Sequence, residues 1–187
     1  MLQIREITKK SKDFNLVKDL YYSAFPVSEQ APMWLLLKQA KKDFVNFVAY
    51  YYKDEFVGFT YTTTHGNLTY LLYIAINADI RSKGYGSQIL NCVKDFYPDN
   101  RIILNIETED EKADNNEERK KRKNFYTKNG YSPAGFLVNM NDGIFEMLIN
   151  NGVCTSDEFL ILFKKYLGFI PSLFYKPKTI EQKGILP

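Results

Sequence analysis

The apolar positions of this 187-residue chain change their spacing repeatedly, and each change predicts an element. Residues 3–8 read as a first strand. Helical spacing follows over 14–25 and 32–41, interrupted by Pro26-Val27-Ser28-Glu29. Residues 44–52, 56–64 and 68–76 predict three strands, joined by the turn-forming Lys53-Asp54-Glu55 and His65-Gly66-Asn67. After Gly86, the residues Ile89, Leu90, Val93 and Phe96 fall on one helical stripe that Pro98 stops, predicting a helix over 86–97. A strand over 101–106 and a helix over 115–128 come next. That helix has a capping-box start at Asp114 or Asn115 with Glu117 or Glu118, and Asn129-Gly130 closes it. Two strands, 131–138 and 144–149, flank Asn141-Asp142-Gly143, the strongest hairpin signal in the chain.

Residues 155–168 carry Phe159, Leu160, Leu162, Phe163, Tyr166 and Leu167 as an amphipathic helix opened by Thr155 or Ser156 with Glu158 nearby. Packing against the sheet is the plain role of this helix. Covering a substrate cleft or making a dimer contact stays open, because Phe169, Ile170, Leu173, Phe174 and Tyr175 extend its aromatic surface. Residues 176–187 are expected to be loosely held. Hairpins mixed with helical crossovers imply an α/β (mixed α+β) sheet of about seven strands flanked by helices.

Composition narrows the setting. A chain this long with 45% hydrophobic residues can fill one core and is short for two, so one domain over 1–150 is expected, with 151–187 as a helical extension packed on it. There is no basic-plus-apolar leader, and apolar runs such as residues 70–76 are far below the ~18 needed to cross a bilayer. No membrane partner is expected. Cys92 and Cys154 form no C-x-x-C and meet no histidine cluster, which implies a cytoplasmic setting without a metal, with Cys92 as a small core residue. His65 is the only histidine and lies in a turn. Trp34 and the tyrosines, among them Tyr21, Tyr22 and Tyr50 to Tyr52, are expected mainly in the core and on the sheet.

Candidate chemistry starts where the buried strand at 71–76 gives way to Arg81-Ser82-Lys83-Gly84-Tyr85-Gly86-Ser87 and then to a helix. The first turn of a helix presents backbone N–H groups without intrahelical partners at the positive end of its dipole, which attracts an anion. Glycine at 84 and 86 permits close approach of backbone to ligand. The spacing is neither that of a P-loop nor that of a dinucleotide fingerprint.

A second segment adds to it. Arg119, Arg122, Lys123 and Tyr126 share one face of the helix expected over 115–128, a cationic stripe leading to a tyrosine. Solvation, a ligand's phosphates and nucleic acid are the three readings of that stripe. A net charge of only +3, with acidic residues just before the stripe, argues against a nucleic-acid partner.

Together the arginine-x-x-glycine-x-glycine turn after a buried strand and Phe125-Tyr126-x-x-x-Gly130-Tyr131 resemble the GNAT superfamily of acyl-CoA-dependent N-acyltransferases. Many members carry Asn where this chain has Arg119. The resemblance implies a GNAT-like fold with acetyl-CoA as cosubstrate. Its pyrophosphate would lie at Arg81, Ser82, Lys83, Gly84, Tyr85, Gly86 and Ser87, with Arg119 and Tyr126 contributing, and its pantetheine arm would pair with the main chain of Ile74, Ala75 and Ile76. It also implies Tyr126 as the acid for the leaving thiolate.

Acyl transfer to an amine also needs a proton acceptor, because an ammonium with a pKa near 10.4 cannot attack. Glu107 and Glu109 beyond the strand at 101–106, and Glu29 between the first two helices, are the candidates, with Glu29 also placed to bind the acceptor. Solvent exposure is the plain alternative for each. The expected activity is acetylation of a primary amine on a small molecule or peptide by a monomer or homodimer, and a CoA-binding sensor without turnover is the alternative.

Overall fold

Residues 1–80, 83–140, 143–168 and 177–182 are described by the computed structural model. Arg81, Ser82, Asn141, Asp142, Phe169, Ile170, Leu173, Phe174 and Tyr175, each named above, lie outside the described residues. In chain order the elements are β1 (Gln3–Glu6), α1 (Phe14–Ala24), a 3-10 turn (Val27–Glu29), α2 (Met33–Gln39), β2 (Val45–Tyr52), β3 (Glu55–His65), β4 (Leu68–Ile76) and a second 3-10 turn (Ala78–Ile80). There follow α3 (Tyr85–Phe96), β5 (Arg101–Glu107), α4 (Asn116–Lys128), β6 (Ser132–Met140), β7 (Gly143–Asn150), α5 (Ser156–Leu167) and β8 (Lys178–Glu181). The chain divides into two compact units, Met1–Thr64 with Leu71–Pro98 and His65–Tyr70 with Asp99–Pro187.

In the first unit the strands neighbour one another in the order β1-β2-β3-β4. Lys53 and Asp54 both take left-handed angles, φ 48° and 64°, the conformation a two-residue hairpin needs. The β2–β3 register is interrupted: Tyr50 pairs with Gly58 but Tyr51 with Phe56, so Val57 is an extra residue and β3 bulges. The bulge redistributes side chains. Val57 joins Leu2, Tyr50, Ile80 and Ile89 in the core beside α3, whereas Phe59 packs with Tyr21 of α1. Tyr21, Phe25, Phe47, Phe59, Tyr61 and Tyr73 form an edge-on aromatic cluster, the geometry that ring quadrupoles favour. Cys92 packs, partly buried, against the core beside α3. Trp34 departs from its expected place. It is 66% exposed on α2, and Tyr22 is exposed too, since the seven-residue α2 turns Met33 and Leu36 inward instead.

In the second unit the order is β4-β5-β7-β6-β8. β4 and β5 run parallel over Leu68–Tyr70, and the remaining pairs are antiparallel. Among the described residues, eight strands therefore stand where about seven were expected. The additional one is β8, which pairs with β6 from Phe136↔Glu181 to Asn139↔Lys178, so residues 178–181 are not the loose tail that their place near the terminus suggested. Helix α5 begins as expected: the Thr155 hydroxyl accepts from the Glu158 amide at 3.2 Å, and the Glu158 carboxylate accepts from the Thr155 amide at 2.9 Å. Phe159, fully buried, sits edge-on to Tyr70 at 5.2 Å.

Arg101 on β5 holds the same Glu158 at 2.8 Å. This guanidinium, followed by the Thr155 amide, pulls the Glu158 carboxyl down to about 2 from an ordinary value of 4.5. A depressed acid stabilises the fold above its unfolded pKa, and that contribution is lost as pH falls through the folded value. Glu158→Gln is thus expected to lower the urea midpoint at neutral pH, with the difference from the natural protein shrinking between pH 4.5 and pH 2. A difference that does not change with pH would remove the ionic explanation.

Candidate functional site

The glycine turn is built in the first unit. Gly84 has φ +76° and caps α3, a conformation a side chain would strain, while an added Cβ there would meet nothing within 4 Å. Backbone conformation and not crowding therefore explains glycine at 84. Gly86 lies inside the first turn of α3 with helical backbone, so no strain of its own demands glycine there. Lys83 is exposed; Tyr85 and Ser87 are half-buried. Tyr85 packs on Tyr52, ring centroids 5.7 Å apart, which fixes the start of the helix.

Ile74, Ala75 and Ile76 end β4. Among the described residues β4 pairs with β5 only over Leu68–Tyr70, so the backbone of 71–76 has its strand partner on the β3 side alone. Here Gly58 has a role that the sequence reading missed. A Cβ at position 58 would lie 2.2 Å from the Ala75 carbonyl oxygen and 3.2 Å from the Ile76 Cα. The Ala75 carbonyl occupies the space a side chain would need. Because the peptide is planar and trans, a carbonyl turned toward Gly58 aims the Ile76 N–H away from it. An isolated glycine within a strand pattern was the available signal for such a close approach.

Glu29 belongs to the same unit. Its backbone carbonyl accepts from the Tyr73 hydroxyl of β4 at 2.8 Å, which brings the 3-10 turn onto this strand. His65 is exposed and ends β3, just before the turn in which it was expected.

The remaining candidates lie in the second unit. α4 is polar nearly all round, with Tyr126 its one buried residue among those described, so ion pairs dock it in place of an apolar stripe. Glu107 at the end of β5 meets Arg119 at 3.2 Å and Arg122 at 2.8 Å. Arg119 also donates to the Thr108 carbonyl at 2.8 Å. Lys123 meets Glu146 of β7 at 2.8 Å and Glu109 at 3.6 Å. Burial alone would push the Lys123 ammonium down, but Glu146 and then Glu109 outweigh it and hold it up. Glu146 is only 6% exposed, and this lysine supplies a cation to its buried carboxylate. The cations of the stripe thus face carboxylates of their own unit.

The expected capping box at the start of α4 is absent. The Asn115 side chain makes no cap bond and instead accepts from Arg119 Nε at 2.8 Å and reaches Glu107 at 3.4 Å. The opposite end of α4 closes as the sequence indicates. Gly130 takes φ 82°, its N–H reaches the Thr127 carbonyl at 3.0 Å, and the Tyr131 N–H reaches the Tyr126 carbonyl at 3.1 Å. This is a Schellman ending, with the customary apolar contact supplied by Tyr126 and Tyr131, 5.8 Å apart and edge-on. Burial pushes the Tyr126 phenol up to about 12, with Arg122 opposing. Its hydroxyl makes no hydrogen bond with the described residues. Cys154 is a buried thiol, likewise pushed up to about 12 by burial, and inert on that account.

The model of the Acetyltransferase (GNAT) domain family matches residues 43–133, a span that contains the glycine turn and ends after the Schellman glycine. Among solved structures, a protein assigned to the GNAT acetyltransferase family from Bacteroides thetaiotaomicron is similar over 94% of this chain and 99% of its own, at 18% identity and a TM-score of 0.70. An aminoglycoside 6′-N-acetyltransferase complexed with coenzyme A covers 79% of this chain and 96% of its own, at 19% identity and a TM-score of 0.63. A mutant form of the spermidine N-acetyltransferase SpeG from Vibrio cholerae covers 89% and 96%, at 14% identity and a TM-score of 0.60. At such identities the likeness is one of fold. No curated protein matches the chain. Among the described residues no group of histidine, cysteine and carboxylate side chains could hold a metal ion, and no helix is long and apolar enough to cross a membrane.

Proposed function

From the match of residues 43–133 to the Acetyltransferase (GNAT) domain model and the shared fold, we propose that the chain is a GNAT-superfamily enzyme that transfers an acetyl group from acetyl-CoA directly to a primary amine held in the same complex. The observation that carries this reading is the end of β4. A strand edge beyond Tyr70 with no partner strand among the described residues, a carbonyl seated over Gly58 and a left-handed glycine opening α3 together suit an extended ligand that ends in phosphates. The α3 N-terminus with Lys83, Gly84, Tyr85, Gly86 and Ser87 holds the pyrophosphate, alongside Arg81 and Ser82, and Ile74 to Ile76 receive the pantetheine arm.

The chemistry follows from charge. Glu29, directly or through a water, takes the proton from the acceptor ammonium, and the amine nitrogen bonds to the thioester carbonyl carbon. The Ile76 N–H donates to the oxyanion that develops. As the C–S bond breaks, Tyr126 donates its phenolic proton toward the leaving sulfur. Glu107 has both carboxylate oxygens on guanidinium groups and serves as their counter-ion. Glu109 and Arg119 act in the anchoring of α4. The acceptor is a small polyamine, an aminoglycoside or a peptide amine.

Release of CoA measured with spermidine, an aminoglycoside and a short peptide with a free amino terminus tests the proposal. Turnover on at least one amine is expected, and acetyl-CoA binding with no turnover on any of them would favour the sensor. Gly86→Val tests the cradle, since the helical backbone accepts a side chain but a branched Cβ intrudes on the phosphate. Acetyl-CoA affinity is expected to fall at least about tenfold, or 1.4 kcal/mol, in a variant that remains folded. Unchanged affinity sinks the cradle.

A further inference from the structure

The aromatic cluster beside α1 contains two hydroxyls whose placement packing does not explain. The Tyr73 hydroxyl donates to the Glu29 carbonyl at 2.8 Å and accepts from the Ala31 N–H at 3.4 Å. The Tyr21 hydroxyl donates to the Ala31 carbonyl at 3.0 Å. Both backbone groups of Ala31 are thus held by tyrosines, one from α1 and one from β4. The two rings lie edge-on with centroids 5.0 Å apart, and Phe25 meets Tyr73 at 4.9 Å. The segment between α1 and α2 also braces itself, as Gln30 Nε2 donates to the Phe25 carbonyl at 2.7 Å and to the Tyr22 carbonyl at 3.2 Å. Burial pushes both phenols up, so each stays a neutral donor.

Tyr73 immediately precedes Ile74, the first of the three residues assigned to the pantetheine arm. One residue therefore has its main chain in the donor strand and its hydroxyl on the segment that carries Glu29. We propose that Tyr73 is a positioning residue for the acceptor side of the reaction, holding the Glu29–Ala31 backbone on β4 so that the Glu29 carboxylate keeps a set place beside the acyl donor. This rests on the assignment of Glu29 and β4 given above. The hydroxyl touches neither reactant, so its loss alters where the amine is held and leaves the donor bound as before.

The test compares the natural protein with Tyr73→Phe and Tyr61→Phe. Tyr61 is a fair control. It belongs to the same cluster, 6.2 Å from Tyr73, and its buried hydroxyl donates to the Leu36 carbonyl of α2 at 3.1 Å, away from Glu29. Each variant keeps its ring and loses hydroxyl hydrogen bonds, at a cost of about 1 kcal/mol per bond. Amide hydrogen exchange at Glu29 to Ala31 is expected to quicken at least about fivefold in Tyr73→Phe and to stay unchanged in Tyr61→Phe. With spermidine, the aminoglycoside and the peptide as probes, KM for the amine should rise about five- to tenfold in Tyr73→Phe alone. Acetyl-CoA affinity by calorimetry should stay within about twofold in all three proteins. Equal exchange in the two variants, or a KM no different from that of Tyr61→Phe, overturns the proposal. A natural protein that acetylates none of the probes counts against the proposed acetylation, whereas the exchange data still decide whether Tyr73 holds the segment.

Discussion

Tyr126→Phe is expected to lower kcat for amine acetylation by about a hundredfold to a thousandfold, the loss found when a single donor to developing charge is removed. Acetyl-CoA affinity should change less than about twofold. The ring makes the contacts that matter to the fold, with Phe125 at 5.1 Å and Tyr131 at 5.8 Å, and phenylalanine keeps both. The hydroxyl serves nothing else among the described residues. A phenol held at about 12 is a weaker acid than a thiol, whose ordinary pKa is about 8.5. Complete proton transfer to the sulfur therefore runs uphill by roughly three orders of magnitude, and the benefit comes from the hydrogen bond made as the C–S bond lengthens. It also follows that Tyr126 stays protonated throughout the neutral range, so no ionisation of this group should bend the pH–rate profile there. Steady-state CoA release across pH, with calorimetry for the donor, measures both statements. A variant within about threefold of the natural kcat would remove Tyr126 from the chemistry.

Gly58→Ala carries the second large effect. A methyl at 2.2 Å from a carbonyl oxygen cannot be accommodated by a side-chain rotation, because the obstacle is the main chain of β4. Either β3 or the Ala75 peptide must move. Overpacking of this kind costs typically about 1–3 kcal/mol, and moving the Ala75 peptide also redirects the Ile76 N–H. The expected result is a lower urea midpoint with acetyl-CoA affinity reduced about tenfold or more. Gly66→Ala separates this from a general cost of losing a glycine, since position 66 is conformationally strained, φ +56°, but has open space around it. It should lose stability and keep donor affinity. If Gly58→Ala binds acetyl-CoA as tightly as the natural protein, the β4 peptide orientation does not depend on this glycine.

Most elements were legible because their signals are local. Residues 68–76 are an apolar run ending at a turn, and β4 has those very limits. Thr155 and Glu158 are three apart before an apolar stripe, and their reciprocal cap forms. What the sequence did not convey depends on partners far along the chain. β8 is a four-residue edge strand, three of whose residues are exposed, so it has no hydrophobic signature; only its pairing with β6 makes it a strand. Asn115 fits a cap by spacing, but Arg119 and Glu107 compete successfully for its side chain. The spacing of the cationic stripe of α4 leaves solvation, a ligand's phosphates and nucleic acid open, and it does not reveal Glu107 and Glu146, 12 and 23 positions from their partners Arg119 and Lys123. The same holds for the candidate site. The glycine turn and Tyr126 are visible as motifs, whereas Gly58 and Tyr73 matter through a carbonyl and a hydroxyl whose positions no spacing encodes.

The way α4 ends has a consequence for how this region tolerates change in length. The Tyr126 carbonyl receives the Tyr131 N–H, and the two rings touch, so the helix terminus and the bearing of the phenol are one arrangement. The count of residues from Tyr126 to Gly130 acts as a ruler. Many side chains between them can vary, since Thr127 and Lys128 point outward to solvent, but one residue added or removed puts glycine at the wrong place to turn left-handed and leaves the phenol on a different side of the helix. Substitution and insertion would therefore have opposite tolerances over the same few positions.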